Sequence, residues 1–372
     1  MSQRENVNPR REQDHRKNSR RYQKRAAARR RRNTIFIMEI VLLLILAVVL
    51  FFVSKLSKIE KTKLDMDKIE VNEDISQESR KIMKGYQTFA MFGLDNRSNG
   101  NLSQGRSDVI MLANINNDTK EVKLVSVYRD TYLDTGDGIF QKCNAAYAKG
   151  GPEQAISMLN VNLDLNITDY VTVDFNSIIE CVDLLGGVDM EITDDEASLM
   201  TGYIRELNEL TGNKAENLTQ GGTYTLNGVQ ACAYARIRYG GGDDYRRTER
   251  QRTVLTAMVK KAQQSDLTTV NKLINEVCGD IQTSFSNAEL LALASQVFQY
   301  SIGDTTGFPF TKTTRVLSKK TGDVVIPCDL SDNVKELHIF LYEDSAYTAS
   351  DTVKQNSEKI VSDTGFKSGD GH

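Results

Sequence analysis

Two arginines lie in the stretch Ala233-Tyr234-Ala235-Arg236-Ile237-Arg238, which predicts a buried strand. Because side chains on a strand alternate between its two faces, Arg236 and Arg238 point to the same side. Neighbouring guanidinium groups repel each other unless an anion lies between them. The pair therefore favours an anion-binding site, and a surface network of salt bridges is the alternative.

A helix with more positive charge is predicted directly after this strand. It follows the glycine-rich turn at 239–242, with Asp244 as its N-cap. Arg247, Arg250 and Gln251 are three or four residues apart, so they share a face on the first turns. The positive end of the helix dipole adds to their charge. Strand and helix together predict a site for phosphate or pyrophosphate, anions that arginine binds through two parallel hydrogen bonds.

The N-terminal residues predict a membrane anchor. Residues 1–32 contain 13 Lys/Arg and 3 Asp/Glu, although the whole chain has a net charge of −3. The 19 residues of the apolar run 35–53 would form a helix of roughly 28 Å, which matches the hydrocarbon core of a bilayer. Since four arginines precede the run, the N-terminus is predicted to stay cytoplasmic. A cleaved signal peptide is the alternative, but no small-residue cleavage site follows the run.

Charge and cysteine usage also exclude some function classes. The basic arm is interpreted as a topology signal that touches anionic membrane lipid, and no nucleic-acid partner is predicted. The chain has five cysteines without CxxC spacing and three histidines. Neither a zinc site nor histidine-based catalysis is therefore expected.

Charged residues flank three predicted strands, which are 88–94, 109–115 and 121–127. A turn near Asn117 makes the last two strands a hairpin, so Arg106, Asp108 and Arg129 meet at one edge of the sheet. Asp95, at the end of the first strand, can reach the same edge. Two carboxylates beside arginines suit Mg²⁺ next to a phosphate. Loop caps and salt bridges to the arginines account for the spacing equally well.

Strands alternate with helices along the rest of the chain, which predicts an α/β fold. The expected architecture is a three-layer α-β-α domain with a central mixed sheet, preceded by a single transmembrane helix. Further strands are predicted at 169–175, 188–192 and 324–327, and helices at 152–159, 175–185, 194–210, 270–277, 287–300 and 333–342. The predicted division is a cytoplasmic arm at 1–33, a transmembrane helix at 34–54, an extracytoplasmic stalk at 55–84, a catalytic domain at 85–265, a C-terminal extension at 266–348 and a disordered tail at 349–372.

Several motifs between residues 86 and 262 resemble, in order, those of the LytR-CpsA-Psr family. They are Phe92-Gly93-Leu94-Asp95, Arg106-Ser107-Asp108, Ser126-Val127-Tyr128-Arg129-Asp130, Lys142-Cys143-Asn144-Ala145-Ala146-Tyr147, Asp183-Leu184-Leu185-Gly186-Gly187-Val188, Leu226-Asn227-Gly228, Tyr234-Ala235-Arg236-Ile237-Arg238, and Asp244 with Arg247, Arg250 and Gln251. Two residues depart from the family pattern, since Tyr128 replaces a proline and Cys143 an aliphatic residue. Neither change removes a charged group.

The resemblance implies an extracytoplasmic enzyme of the cell envelope. Such an enzyme moves a glycopolymer, for example a teichoic acid or a capsular polysaccharide, from undecaprenyl pyrophosphate to peptidoglycan and forms a phosphodiester. A polyprenyl-pyrophosphate hydrolase would use the same site with water as acceptor. A non-enzymatic envelope sensor or transcription attenuator is the other alternative.

The resemblance also assigns roles to individual residues. Asp95 and Asp108 would hold Mg²⁺ (or Mn²⁺). The residues implied for pyrophosphate binding are Arg106, Arg129, Lys142, Arg236, Arg238, Arg247, Arg250 and Gln251. The implied catalytic residues are Arg129, Arg236, Arg238, Asp130 and Asp244, with Asp130 or Asp244 as acceptor of the hydroxyl proton.

Overall fold

The computed structural model describes residues 60–61, 64–94, 102, 105–238, 243–266, 268–269, 272–273 and 281–371. The chain divides into two units, 1–55 and 56–372, and all described residues belong to the second. The predicted cytoplasmic arm, the membrane segment and Asp95 lie outside the described residues. Within the described ranges, no helix combines the length and the apolar character that crossing a membrane requires.

A mixed sheet of seven strands forms the centre of the described chain. In spatial order its strands are β1 (Glu60–Lys61), β10 (Gln282–Thr283), β7 (Tyr170–Asp174), β2 (Tyr86–Leu94), β3 (Ser107–Asn116), β4 (Glu121–Val127) and β11 (Ser301–Phe308). β3 is antiparallel to both β2 and β4, whereas β2 pairs in parallel with β7 and β4 with β11. The prediction of an α/β fold with a central mixed sheet is confirmed.

Helices and three small sheets surround this centre. The helices are α1 (Gln77–Met83), α2 (Ala145–Leu163), α3 (Phe175–Leu184), α4 (Asp194–Thr211), α5 (Gly228–Arg236), α6 (Asp243–Gln264), α7 (Asn287–Ser295), α8 (Leu330–Tyr342) and α9 (Asp351–Thr364), with a 3₁₀ turn at Met66–Lys68. The two-stranded sheets pair β5 (Tyr132–Asp134) with β6 (Phe140–Lys142), β8 (Val188–Ile192) with β9 (Gly222–Leu226), and β12 (Lys312–Ser318) with β13 (Gly322–Pro327).

Both faces of the central sheet are covered by apolar side chains of helices. On β3, Ile110 and Leu112 belong to a core with residues of α2 and α8, whereas Met111 and Ala113 pack with Leu255 of α6. This division follows from the alternation of side chains along a strand. A strand covered on both faces reads as a continuous apolar run, as 109–113 does.

The prediction of a strand at 233–238 is wrong, because these residues end helix α5. Asn227 caps this helix: its side chain accepts the Gln230 backbone N–H, and the Gln230 side chain accepts the Asn227 N–H at 3.1 Å. A capping box followed by alanines, the best helix formers, outweighs the apparent alternation. Arg236 is therefore the last helical residue, and Arg238 lies beyond the helix end, so the two do not share a strand face.

The predicted stalk and C-terminal extension are parts of one folded body with the catalytic domain. Ile69 and Ile75 are buried, and Asn72 donates to the backbone oxygen of Val161 at 3.1 Å. β10 and β11, from the predicted extension, are strands of the central sheet. These long-range contacts are not visible in the local sequence.

The prediction of a disordered tail at 349–372 is also wrong. Ser350 caps α9, which buries Val353 and Ile360 against the main core. The segment reads as polar because Asn356 and Ser357 are buried as well, so its apolar stripe is narrow.

We expect Gly228→Ala to destabilise the fold, because a Cβ there would lie 2.2 Å from the backbone oxygen of Ile179. Backbone cannot move aside as a side-chain end can, so the cost is about 1–3 kcal/mol. Gly202→Ala on α4 is the matched control, since nothing lies within 4 Å of its added Cβ. That change should raise the free energy of unfolding by up to about 1 kcal/mol, because alanine has a higher helix propensity than glycine. Equal effects of the two substitutions in urea unfolding would contradict the close approach of α5 and α3.

Candidate active site

A polar cavity of about 410 Å³ lies where the sheet edge meets α3, α4, α5 and α6. We call it the arginine pocket, and its lining residues are Asp108, Val109, Arg129, Phe175, Tyr203, Glu206, Arg236, Arg238, Arg247 and Gln251. Six of them belong to the site that the sequence predicts. Elements far apart in sequence therefore bring half of the twelve predicted residues to one place.

Asp108 is the residue on which three of the arginines converge. The antiparallel register of β3 and β4 brings it opposite Arg129, whose Nη1 donates to Asp108 Oδ1 at 2.8 Å. Arg238 Nη2 lies 3.5 Å from Asp108 Oδ2. Arg247 Nη2 donates to the backbone oxygen of Asp108 at 3.2 Å. The predicted meeting of Asp108 and Arg129 at the sheet edge is confirmed.

The pocket holds more positive charge than its carboxylates neutralise. Arg247 is 2% exposed, and burial together with the charges of Arg129 and Arg238 lowers its pKa despite Asp244 nearby. Burial also acts to lower the pKa of Arg129, but Asp108 and the other two carboxylates beside it outweigh burial and raise it. An anionic ligand would relieve the repulsion that Arg247 experiences.

Arg236 lines the pocket from the end of α5, at its boundary with α4. Its Nη2 donates to Glu206 Oε1 at 3.2 Å, and its guanidinium carbon lies 4.8 Å from the centre of the Phe175 ring. The ring of Tyr203 is 5.7 Å away on the other helix. Sequence reasoning missed Tyr203 and Glu206. Their spacing of three residues on one helix face was visible, but the packing that turns this face to the pocket was not.

Several buried polar atoms of the pocket find no hydrogen-bond partner within the described part of the chain. They are Arg129 Nε, Arg236 Nη1, Arg247 Nε and the side-chain oxygen of Gln251. Buried polar groups in proteins are rarely left in this state. Arg129 Nε lies near two carboxylates, whereas Arg236 Nη1 and Arg247 Nε are donors that fit a ligand with several anionic oxygens.

The two candidate proton acceptors, Asp244 and Asp130, both lie near Nε of Arg129. Asp244 Oδ1 is 3.2 Å from Arg247 Nη2 and 3.7 Å from Arg129 Nε. Asp130 is 3.9 Å from Arg129 Nε and pairs with Lys142 at 3.3 Å. Lys142 therefore lies at the border of the site and contacts it through Asp130.

Besides Asp130, Asp244 and Lys142, which border the pocket, two further predicted residues do not line it. Arg250 is turned to α4, where its Nε donates to Glu196 Oε1 at 3.0 Å, and Arg106 is an exposed residue just before β3. Successive residues of a helix are about 100° apart, so Arg250 and Gln251 lie on opposite sides of Arg247. The side of the helix that carries Gln251 faces the pocket.

An apolar cleft of about 140 Å³ opens beside the arginine pocket. It lies between β2, β3 and β7 on one side and α3, α5 and α6 on the other, with Met91, Met111, Ile178 and Leu255 in its walls. Val109, Phe175 and Gln251 line both spaces. A ligand with an apolar chain and an anionic head would fit across this boundary.

The carboxylates present fit a divalent cation only together with a ligand. No group of three or more His, Cys, Asp or Glu side chains that could hold a metal occurs among the described residues. Both oxygens of Asp108 accept from arginines. Mg²⁺ is commonly held by one or two carboxylates plus phosphate oxygens and waters, a set that Asp108 and a bound pyrophosphate can supply.

Comparisons with known proteins identify a family and a fold for this chain. The model of the LytR_cpsA_psr family matches residues 46–315. A polyisoprenyl-teichoic acid–peptidoglycan teichoic acid transferase TagU of Enterococcus faecalis is 30% identical over 234 residues, which are 62% of this chain and 72% of that protein. Further curated relatives are matched over about half of their own length.

Solved structures share the fold. TagT bound to LI-WTA has a TM-score of 0.56 at 19% identity, covering 82% of this chain and 99% of that one. TagT with bound octaprenyl pyrophosphate lipid has a TM-score of 0.51 at 22% identity, covering 70% and 92%. At this level of identity the likeness establishes the fold.

Arg247→Met should weaken ligand binding and Arg250→Met should weaken the fold, although the two residues are one helical turn apart. Loss of Arg247 should weaken binding of inorganic pyrophosphate on the order of 10- to 100-fold, the scale of one charged hydrogen bond, with little loss of stability. Loss of Arg250 leaves Glu196 unpaired and should lower the free energy of unfolding by about 1–3 kcal/mol, with binding retained. Calorimetric titration and thermal unfolding of both variants decide this. Equal loss of binding would place Arg250 in the pocket after all.

Proposed function

The chain belongs to the LytR-CpsA-Psr family, and on that premise we propose that it is a membrane-anchored, extracytoplasmic transferase. It moves a glycopolymer, a teichoic acid or a capsular-type polysaccharide, from undecaprenyl pyrophosphate to peptidoglycan. The observation that carries this proposal is the continuity between the arginine pocket and the apolar cleft.

A polyprenyl pyrophosphate needs an apolar channel for its chain and fixed cations for its head group. Both lie side by side here, and the guanidinium groups of Arg129, Arg236 and Arg247, which line the pocket, supply the cations. The name of the Enterococcus relative specifies a polyisoprenyl-linked donor and a peptidoglycan acceptor, and one TagT structure contains octaprenyl pyrophosphate. These facts support the same donor for this chain.

The shared wall residues suggest how the donor is oriented. Arg236 lies on the ring of Phe175, which also lines the apolar cleft, so the phosphate attached to the lipid belongs beside Arg236 and Gln251. Arg238 is 44% exposed at Asp108, so the phosphate attached to the sugar belongs beside Arg129 and Arg238. In this orientation the glycan points towards solvent, from which the peptidoglycan acceptor approaches.

In the transfer step, a peptidoglycan hydroxyl attacks the phosphorus attached to the sugar. A new P–O bond forms, the bridging P–O bond to the lipid phosphate breaks, and the polyprenyl phosphate leaves. Arg236 and Arg247 stabilise the charge on the leaving phosphate, because their positions are fixed before the reaction begins. Asp244, held between Arg129 and Arg247, takes the hydroxyl proton, and Asp130 is the second candidate.

Mg²⁺ is the cofactor that the family implies, and Asp108 would hold it, together with Asp95, which follows Leu94 in the sequence. When bound, it would neutralise charge on the pyrophosphate oxygens. Arg129 and Arg238 keep the Asp108 carboxylate at the pocket wall. The two arginines and the cation would then share the Asp108 carboxylate.

Arg238→Ala should reduce transfer about 10²–10³-fold, corresponding to about 2.7–4 kcal/mol for one preorganised donor. Arg238→Lys keeps the charge without the fork of donors and should remain impaired. Arg246→Ala, an exposed change on the next helix, is the control for charge. The assay uses a lipid-pyrophosphate glycan donor with peptidoglycan, and unfolding temperatures should stay near that of the parent. Parent-like transfer by Arg238→Ala would overturn the pocket assignment, and glycan phosphate released to water would identify a hydrolase.

Asp108→Asn should weaken Mg²⁺ binding and transfer together, with raised Mg²⁺ restoring only part of the activity. Restoration is partial because the change also removes the countercharge of Arg129 and Arg238. Titration of Mg²⁺ in the presence of inorganic pyrophosphate gives a readout independent of turnover. An unchanged Mg²⁺ affinity would exclude Asp108 as a ligand.

A further inference from the structure

Glu206 is a carboxylate in the wall of a cavity built from arginines, a position that needs an explanation. It lies on α4, its side chain is 37% exposed, and it lines the arginine pocket. A negative charge there repels an anionic ligand and lowers its affinity. The family motifs in this sequence do not include it.

The contacts of Arg236 supply the explanation. Its side chain is 13% exposed and is held on two sides: Nη2 donates to Glu206 Oε1 at 3.2 Å, and Cζ lies 4.8 Å from the centre of the Phe175 ring. Nη1 is buried without a partner among the described residues. One nitrogen is thus held by α4, and the other is left for a ligand.

We propose that Glu206 is a positioning residue that holds Arg236 in the orientation needed at the lipid-linked phosphate. This inference rests on the proposed function, because it concerns the same pyrophosphate pocket. Glu206 makes binding of the anion weaker and the transfer step faster. The ionic hydrogen bond and the aromatic ring together define the plane of the guanidinium, so Nη1 keeps its direction as the bridging P–O bond breaks.

The same geometry explains why the fixing group belongs to α4. The other pocket arginines, Arg129, Arg238 and Arg247, are paired with Asp108 of β3 or Asp244 of α6. Arg236 is paired instead with Glu206 of the neighbouring helix α4. This partner holds the guanidinium beside Phe175, which also lines the apolar cleft, and apart from the carboxylates that pair with the other three.

The test separates binding from turnover. In Glu206→Ala, inorganic pyrophosphate should bind roughly two- to fivefold more tightly, since a repulsive charge is gone. Transfer under saturating donor should fall on the order of 10- to 100-fold, because Arg236 loses its fixed direction. Glu206→Gln keeps an acceptor oxygen, so it should also bind pyrophosphate more tightly but recover most of the turnover.

Two controls accompany these variants. Glu209→Ala removes the same charge from an exposed position one turn along α4, and it should change neither quantity. In an Arg236→Ala background, Glu206→Ala should cause no further loss of transfer, since the residue acts through Arg236.

The outcomes are distinguishable from failure of the proposed function. If the parent neither binds pyrophosphate nor transfers glycan, the proposed function fails. If the parent is active and Glu206→Ala has parent-like turnover, the positioning role is overturned. Parallel loss of binding, turnover and thermal stability in both Glu206 variants would show that Glu206 serves only the fold.

Discussion

The repulsion between guanidinium groups at the end of β3 is the constraint on which the site depends. Arg129, Arg238 and Arg247 all contact Asp108, at its carboxylate or its backbone oxygen. Asp108 alone cannot neutralise these three cations, and even with Asp244 nearby, burial together with the charges of Arg129 and Arg238 lowers the pKa of Arg247. Folding tolerates the excess because the surrounding cores hold the elements in place, and the uncompensated charge would favour an anionic ligand.

The frame that holds these cations extends over the whole described chain. Its apolar layers on both sides of β3 fix the level of Asp108, and β10 and β11 complete the sheet from a segment beyond the arginine motifs. The helix pair α4 and α5 adds Arg236 and Glu206 from the opposite wall. A site of this kind cannot be assigned to one stretch of sequence, because each wall belongs to a different part of the chain.

The same arrangement places an apolar environment beside a charged one in a single site. Val109, Phe175 and Gln251 stand between an apolar cleft and a charged pocket, so a ligand must match both to occupy them. This requirement favours a lipid pyrophosphate over free phosphate, which would leave the cleft empty, and over a neutral lipid, which would leave the arginines uncompensated. Affinity for such a ligand comes from hydrophobic burial, and its orientation comes from the fixed donors.

The sequence by itself determined four of the seven central strands, β2, β3, β4 and β7, the hairpin that brings Asp108 to Arg129, and the family. These depend on local periodicity and on turns of a few residues, which each segment carries within itself. The helix at 233–236 follows from the local capping box of Asn227 and Gln230, which the apparent strand alternation masked. Only the tertiary structure decided that Arg250 turns to Glu196, that Glu206 faces Arg236 and that 351–364 packs as a helix. In each of these three cases a distant partner selects the face or the conformation, and local sequence does not record which distant segment that partner belongs to.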